Sequence, residues 1–314
     1  MSDPTQSYRT VWYDLRPAKQ VERRMMIDVF GRLAASGFHI ADYQYTGLGS
    51  IYFVDFILLH RYLGMNRLLS IEHDYSIPKR TKFNVPFSCV EVRMGEIGQV
   101  IAELDRDLHH LLWLDYDQRI DEGILADVAL AAYKLSPGSV VIITVDVEPP
   151  DRCEAPRALM DWYQSQAGDY FEHDWDVTTF ARSCLPAVNF AILRNALSRG
   201  LAPRAAVDYL SLFKFVYADG HEMITLGGMI GTQSEAAMLA GSGLHAYDFV
   251  RLDAQQAAYH IKVPRLSRKE RLHLDQHMPC SAGWTPSEFE LSSEEVQSYS
   301  EIYRFCPTYA ELLL

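Results

Sequence analysis

The chain has 314 residues, of which 48% are hydrophobic and 22% charged, as in ordinary folded proteins. This length suits one large domain, or one domain with an appendage. The formal net charge of −12 argues against nucleic acid as a partner, because proteins that grip a phosphate backbone do so through a basic surface that releases counterions. A small molecule, a locally held nucleotide or a basic partner protein fits the charge better, and a homo-oligomer stays open.

Five scattered cysteines form no CxxC pair, so that the sequence predicts neither a disulfide framework nor a zinc site. No apolar run reaches the ~20 residues that a bilayer span needs. The opening residues also lack the apolar stretch of a secretory signal. We therefore expect a cytoplasmic protein without membrane contact.

Hydrophobic periodicity predicts alternating helices and strands through the first half of the chain. A helix over residues 17–33 precedes a strand over 38–45, which runs into a glycine turn and a helix over 51–63. Short apolar strands follow over 68–71, 89–92, 111–114 and 140–145, with a helix over 121–135 before the last of them. Continuous apolar strands that alternate with helices are typical of a mostly parallel sheet with helices on both faces.

The sequence pattern predicts a hairpin in the second half of the chain and a helical segment at each end of the α/β domain. Apolar runs on both sides of Asp219-Gly220 predict an antiparallel hairpin, since Asp-Gly is a preferred hairpin turn. We expect a helical segment over 1–37, an α/β domain over 38–250 and a C-terminal helical appendage over 251–314. Within the α/β domain, the irregular stretch at about 150–205 is interpreted as an insertion.

Glycines between a predicted strand and a predicted helix mark a ligand site. Gly47 and Gly49 let the backbone turn sharply and approach a ligand, and the helix that follows directs free N–H groups at it. Glu72 lies 23 residues after Gly49, at the end of the next predicted strand. An acid at this spacing is placed to accept hydrogen bonds from ribose hydroxyls. The pattern therefore predicts a ligand that contains a nucleoside.

Two nucleotide classes are disfavoured by the same stretch. The dinucleotide fingerprint needs a third glycine three residues after the second, and Tyr52 occupies that position. The triphosphate-binding motif G-x-x-x-x-G-K-[ST] is absent from the chain. A nicotinamide-dependent oxidoreductase is therefore a poor interpretation.

Four stretches resemble the class I S-adenosylmethionine (SAM)-dependent methyltransferases, and more narrowly a group of bacterial O-methyltransferases. They are YTGLGS at 45–50, SIEH at 70–73, RMGE at 93–96 and LDYD at 114–117. The resemblance implies a Rossmann-like α/β fold with a mostly parallel seven-stranded sheet and a late antiparallel hairpin. It also implies SAM as cofactor, with contacts from Thr46, Gly47, Gly49, Ser50, Glu72, His73, Gly95, Glu96, Asp115 and Tyr116.

The same resemblance implies a methyl-transfer site after the fourth strand. Asp115 and Asp117 flank Tyr116, and we expect the two acids to point to different sides of an extended loop, one toward the cofactor and one toward the acceptor. The implied activity is methylation of an oxygen on a small-molecule or nucleotide-like acceptor. The chain departs from the superfamily before its glycines, where an acid is common and where Asp42 is the nearest one here.

Several alternatives stay open at this stage. A non-catalytic module that binds SAM or a nucleotide and acts through a protein partner shares the same fold. Asp146 and Glu148 follow the fifth strand, where some O-methyltransferases hold Mg²⁺, although we assign no metal ligand. The charged positions of the first helix either fold over the pocket or face solvent; they are Lys19, Glu22, Arg23 and Arg24. An aromatic group either packs in a core or floors a flat substrate; it comprises Trp162, Tyr163, Tyr170, Phe171 and Trp175.

Overall fold

A computed structural model describes residues 16–151 and 153–307. The strands of these residues form one eight-stranded sheet. In chain order they are β1 (Gln44–Leu48), β2 (Arg67–Glu72), β3 (Val90–Met94), β4 (His110–Arg119), β5 (Val140–Asp146), β6 (Asp208–Ala218), β7 (Glu222–Gly231) and β8 (Tyr259–Ile261). Their order across the sheet is β3-β2-β1-β4-β5-β7-β6-β8.

Helices cover both faces of this sheet. The α-helices of the described residues are α1 (Pro17–Ala35), α2 (Val54–Leu63), α3 (Pro78–Phe83), α4 (Ile97–Glu103), α5 (Glu122–Lys134), α6 (Pro156–Ala167), α7 (Leu185–Leu201), α8 (Gln233–Gly241), α9 (Arg268–His277) and α10 (Ser293–Ile302). The predicted helices over 17–33 and 121–135 are confirmed, within about two residues at each end, as α1 and α5.

The direction of the strands confirms a mostly parallel α/β sheet with a late hairpin. β1 to β5 pair in parallel, whereas β7 runs antiparallel between β5 and β6. The predicted number of seven strands is wrong by one, because β8 adds to the sheet edge in parallel with β6. A strand of three residues has too short an alternation to be recognised in the sequence.

The sheet separates two hydrophobic cores, and successive side chains along its central strands point alternately into one core and the other. On β4, Leu111 and Trp113 face the core that also contains residues of α1 and α2. Leu112 and Leu114 face the opposite core, which contains residues of α4, α5 and α7. Because successive side chains of a strand point to opposite faces, a sheet covered on both sides needs the continuous apolar runs seen in the sequence.

Two predicted boundaries near the glycine turn are wrong. The strand expected over 38–45 begins only at Gln44, because hydrogen bonds of a 3₁₀ turn, Ile40–Asp42, shape the chain before it. The strand then continues through Gly47 to Leu48. The helix expected from residue 51 begins at Val54, since Phe53 before it adopts a left-handed backbone with φ of 49°.

The predicted insertion contains α6, several 3₁₀ turns and α7, which packs against α5 and leads into β6. At the two ends of the chain, α1 and α10 contribute residues to the same core as the sheet. The division into three segments stays a prediction.

The turn of the late hairpin fixes the position of α1. Asp219 lies between β6 and β7, and its carboxylate accepts hydrogen bonds from the backbone N–H groups of Ala18 (3.0 Å) and Lys19 (2.9 Å). An acid at a helix N-terminus satisfies free N–H groups and complements the positive end of the helix dipole. The first two turns of α1 are therefore held at the carboxyl edge of the parallel strands.

Candidate active site

A cavity of about 410 Å³ opens at the carboxyl ends of β1, β2, β3 and β4. Ligands of α/β sheets bind at this edge. Most of the predicted site residues line it, namely Gly49, Ser50, Glu72, His73, Gly95, Glu96, Asp115, Tyr116 and Asp117. The structure thus brings together residues at the ends of four separate strands.

Gly49 passes so close to β2 that a side chain has no room. A Cβ atom on Gly49 would lie 2.6 Å from Ser70 Oγ and 2.9 Å from the carbonyl oxygen of Ile71. The Gly49 N–H also donates a hydrogen bond to that carbonyl, at 2.5 Å. The turn into the cavity therefore requires glycine because of close backbone approach.

Thr46 and Gly47, also predicted to contact the cofactor, are not among the residues that line the cavity. Both are buried within β1, where Gly47 pairs with Ser70 on one side and Trp113 on the other. A Cβ atom on Gly47 would collide with the phenol of Tyr45. In the structure, this glycine makes room for a buried tyrosine, a packing role that the Gly-x-Gly pattern does not reveal.

Glu72 ends β2 at the wall of the cavity, with 6% of its surface exposed. Its Oε1 accepts a hydrogen bond from the Asp74 N–H at 3.1 Å. Burial raises the pKa of Glu72, an effect that this hydrogen bond partly opposes. The carboxyl group is thus fixed in orientation before any ligand arrives.

Asp115 and Asp117 line the same cavity, which corrects the expectation that they point to different sides. The expectation assumed a loop after residue 114, but β4 continues through Arg119 with an irregularity in its pairing to β5. In a strand, residues i and i+2 share a face. Tyr116 lies between them, and its hydroxyl donates to Asp127 of α5 at 2.9 Å.

The charged face of α1 folds over the cavity, which decides one of the open alternatives. Lys19 and Glu22 are fully buried and Arg23 is 4% exposed, whereas Arg24 is only half-buried. Arg16 and Arg23 line the cavity itself. Nothing in the sequence separates these charges from an ordinary solvated helix face, because their partners lie far away in the chain.

Lys19 is the centre of a buried ionic cluster, defined here as Lys19, Glu22, Asp115 and Tyr217. Its Nζ lies 2.7 Å from Asp115 Oδ1, 3.0 Å from Glu22 Oε2 and 3.1 Å from the Tyr217 hydroxyl. The ammonium also lies 4.5 Å from the centre of the Trp113 ring. A buried lysine is tolerated only when partners of this kind replace its lost water.

Burial and pairing act in opposite directions on the acids of this cluster. Burial by itself raises the pKa of Asp115, but the Lys19 ammonium, with help from Arg16 and Arg23, brings the pKa below its usual value. Burial raises the pKa of Glu22, and there the attraction of Lys19 does not cancel the effect. The pKa values of the two carboxyl groups that share one lysine are therefore shifted in opposite directions.

A second ion pair completes the α1 side of the cavity. Arg23 Nε lies 2.5 Å from Asp55 Oδ1 on α2, and both residues line the cavity beside Met223 of β7. This wall is polar and charged. The aromatic group lies elsewhere, since all its members pack in or against the core on the opposite face of the sheet. Tyr163, Phe171 and Trp175 of this group contact the Phe180 ring.

Asp146 and Glu148 are engaged with other side chains. Asp146 Oδ2 lies 3.0 Å from His221 Nδ1, and Glu148 Oε2 accepts a hydrogen bond from Arg182 at 2.7 Å. Across residues 16–151 and 153–307, no group of three His, Cys, Asp or Glu side chains is arranged to hold a metal ion. In the same part of the chain, no helix combines the length and apolar character needed to cross a membrane.

The strand order and the position of the cavity define a class I SAM-dependent methyltransferase, the class that the sequence resembles. The chain belongs to the family described as "Putative O-methyltransferase", which matches residues 11–314. No curated protein matches the chain.

Solved structures with a similar fold include further methyltransferases. The O-methyltransferase from Bacillus cereus, in complex with S-adenosylhomocysteine (SAH), is 15% identical over 72% of this chain and 86% of its own, with a TM-score of 0.40. The O-methyltransferase TomG from Streptomyces achromogenes, in complex with SAM, is 18% identical over 67% of this chain and 80% of its own, with a TM-score of 0.35.

Proposed function

We propose that the protein transfers the methyl group of SAM to an oxygen atom of a small-molecule or nucleotide-like acceptor, and that the cavity at the carboxyl edge of the sheet is the place of transfer. The observation that carries this proposal is the juxtaposition of the Gly49 turn, Glu72 and Asp115 around one cavity. These residues come from three parallel strands that lie side by side in the order β2-β1-β4. We also propose that it acts in the cytoplasm, where its five cysteines stay reduced.

The lining of the cavity suits both the adenosine end and the methionine end of SAM. Glu72 would accept hydrogen bonds from the ribose hydroxyls, since it is a buried, preoriented carboxyl at the end of β2. The adenine would then lie toward Gly95 and Glu96, which follow β3 on the outer side of β2. The methionine end would lie toward β1 and β4, near Asp115. Bound SAM supplies an activated methyl group on a positively charged sulfur.

The acceptor would enter on the α1 side of the cavity. Arg16, which precedes α1, Arg23 of α1, Asp55 of α2 and Asp117 of β4 line this region. Side chains of both charges suit an acceptor with several polar groups better than a flat aromatic one. Their role would be to orient the acceptor oxygen and to keep water out, since correct alignment supplies much of the rate in a displacement of this kind.

Binding measurements test the donor before the acceptor is known. Calorimetric titration of the protein with SAM and SAH should show saturable binding of both, and titration with NAD should show none. Binding of NAD without SAM would contradict the proposal. Incubation with SAM and a cell extract should then release SAH. If SAM binds but SAH never accumulates with any extract, the alternative of a non-catalytic binding module acting through a partner is favoured.

A further inference from the structure

The ionic cluster around Lys19 reaches the cavity through one of its members. Lys19 and Glu22 have fully buried side chains, whereas the side chain of Asp115 is 23% exposed and lines the cavity. Burying one ammonium with two carboxyl groups costs desolvation free energy that ion pairing only partly returns. A buried cluster that costs desolvation free energy at a cavity wall is a candidate for a functional role. Asp115 is the member of the cluster that a ligand in the cavity can contact.

We propose that Lys19 is a positioning residue that, through the contact between its Nζ and Asp115 Oδ1, holds the Asp115 carboxylate toward the sulfur end of the bound cofactor, so that the cavity prefers SAM to SAH. This inference rests on the proposed function. SAM carries a positive charge on sulfur, and SAH carries none. An ionised carboxylate beside that sulfur attracts the donor and leaves the product without the attraction.

The order of the strands places Asp115 at that end. Glu72 on β2 marks the ribose, and Gly95 after β3 marks the side of the cavity away from β4. The chain of the cofactor beyond the ribose must therefore run toward β1 and β4. Asp115 is the first of the two acids of β4 that line the cavity, and Lys19 Nζ lies 2.7 Å from its Oδ1. The Asp115 side chain is 23% exposed, so that part of the carboxylate can meet the ligand.

The groups that face Asp115 keep it ionised through the neutral range. They are Arg16, which precedes α1, Lys19, Glu22 and Arg23 of α1, Tyr217 of β6 and Tyr45 of β1. Three of them are cations. The two tyrosines have pKa values raised by burial and by the neighbouring acids, so that they stay neutral. Burial also raises the pKa of Glu22, which reduces its competition for Lys19.

The ratio of the affinities for SAM and SAH reports the charge on Asp115, and its measurement does not require the methyl acceptor to be known. Calorimetry would measure the dissociation constants of SAM and SAH between about pH 5 and pH 8, the range in which an unperturbed carboxyl is already ionised. Groups shared by the two ligands titrate alike and cancel in the ratio. We expect the wild-type protein to bind SAM about tenfold more tightly than SAH, with a ratio that does not change over this range.

Three variants separate the roles of the cluster members. Asp115→Asn keeps the shape and removes the charge, so the preference for SAM should fall to about equal affinity at every pH. Lys19→Met keeps the length of the side chain and removes the ammonium, which leaves burial to raise the pKa of Asp115. Its preference for SAM should then be lost as the pH falls. Lys262→Met, which removes an exposed pair with Glu294, serves as the control and should match the wild type.

The outcomes distinguish this inference from the proposed function. If the wild-type protein binds neither ligand, the proposed function is wrong and the inference with it. If both ligands bind and Asp115→Asn leaves their ratio unchanged, only the inference is overturned. If Lys19→Met does not fold, Lys19→Arg, which retains the charge, should keep a pH-independent ratio; a ratio that changes with pH in that variant or in the wild type would overturn the inference.

Discussion

Asp219 accepts a hydrogen bond from the backbone N–H of Lys19 at 2.9 Å, and this contact joins the turn of the late hairpin to the first turn of α1. The two residues are 200 positions apart in the chain. The side chain of the same lysine contacts Asp115, which follows the buried residues of β4. The hairpin therefore helps to place the charged wall of the cavity, in addition to completing the sheet.

Loss of this helix cap should weaken both stability and ligand binding. Asp219→Ala leaves the N–H groups of Ala18 and Lys19 without their acceptor, and we expect the free energy of unfolding to fall by about 1–2 kcal/mol in urea titrations. SAM affinity should fall as well, because α1 carries part of the cavity wall. Ser267→Ala, which removes the cap of the distant α9, is the matched control. It should lower stability and leave SAM affinity unchanged; equal effects of the two variants on affinity would contradict this prediction.

A side chain at Gly49 should block the cofactor. Gly49→Val introduces a branched side chain where even a Cβ atom meets Ser70 Oγ and the Ile71 carbonyl at less than 3 Å. The turn must move into the cavity, and we expect SAM binding to become undetectable by calorimetry. Gly31→Ala on α1 is the control, since nothing lies within 4 Å of its Cβ position. A folded Gly49→Val protein with wild-type SAM affinity would show that the cofactor lies elsewhere.

Removal of the Glu72 carboxylate should lower the affinity for SAM without unfolding the protein. Hydrogen bonds to a charged group are worth about 1.5–3 kcal/mol, so that Glu72→Ala should lower the affinity about tenfold to a hundredfold. Glu91→Ala, at an exposed position on the neighbouring β3, should have no effect on affinity. The prediction fails if calorimetry gives the same dissociation constant for Glu72→Ala as for the wild type.

The raised pKa of Glu22 predicts that the stability of the protein depends on pH. Its pKa is raised in the folded protein, mainly by burial. A carboxyl group whose folded pKa lies above its unfolded pKa favours folding while it is protonated, and this contribution is lost as the pH rises through the folded pKa. Glu22→Gln stays neutral throughout. We therefore expect the variant to gain stability relative to the wild type as urea titrations move from acid to neutral pH; a difference that is constant with pH would contradict the raised pKa.

The sequence was sufficient for the order of the central elements and for residues that line the cavity at the ends of β1 and β2. Continuous apolar strands, the glycine turn and an acid at the right distance all depend on neighbours within about 25 residues. Gly49 and Glu72 were found in this way, and the structure places both at the cavity. Gly47 shows the limit of the pattern, because its need for space comes from the packing of Tyr45.

The α1 side of the cavity could not be predicted because its geometry comes from distant pairings. Lys19 pairs with Asp115, 96 residues away, and α1 is capped by Asp219, 200 residues away from Lys19. Before those contacts are known, the charges of α1 resemble a solvated helix face. The three-residue β8 was missed for a related reason, since its pairing with β6 is the main evidence that it is a strand.

The most direct test of the central claim is a crystal structure of the protein with SAH. We predict that the Glu72 carboxylate accepts hydrogen bonds from both ribose hydroxyls and that Asp115 or Asp117 lies beside the sulfur, on the side of the cavity formed by α1. SAH bound elsewhere, or a complex in which Glu72 is remote from the ribose and both aspartates point away from the sulfur, would contradict the proposed site of methyl transfer.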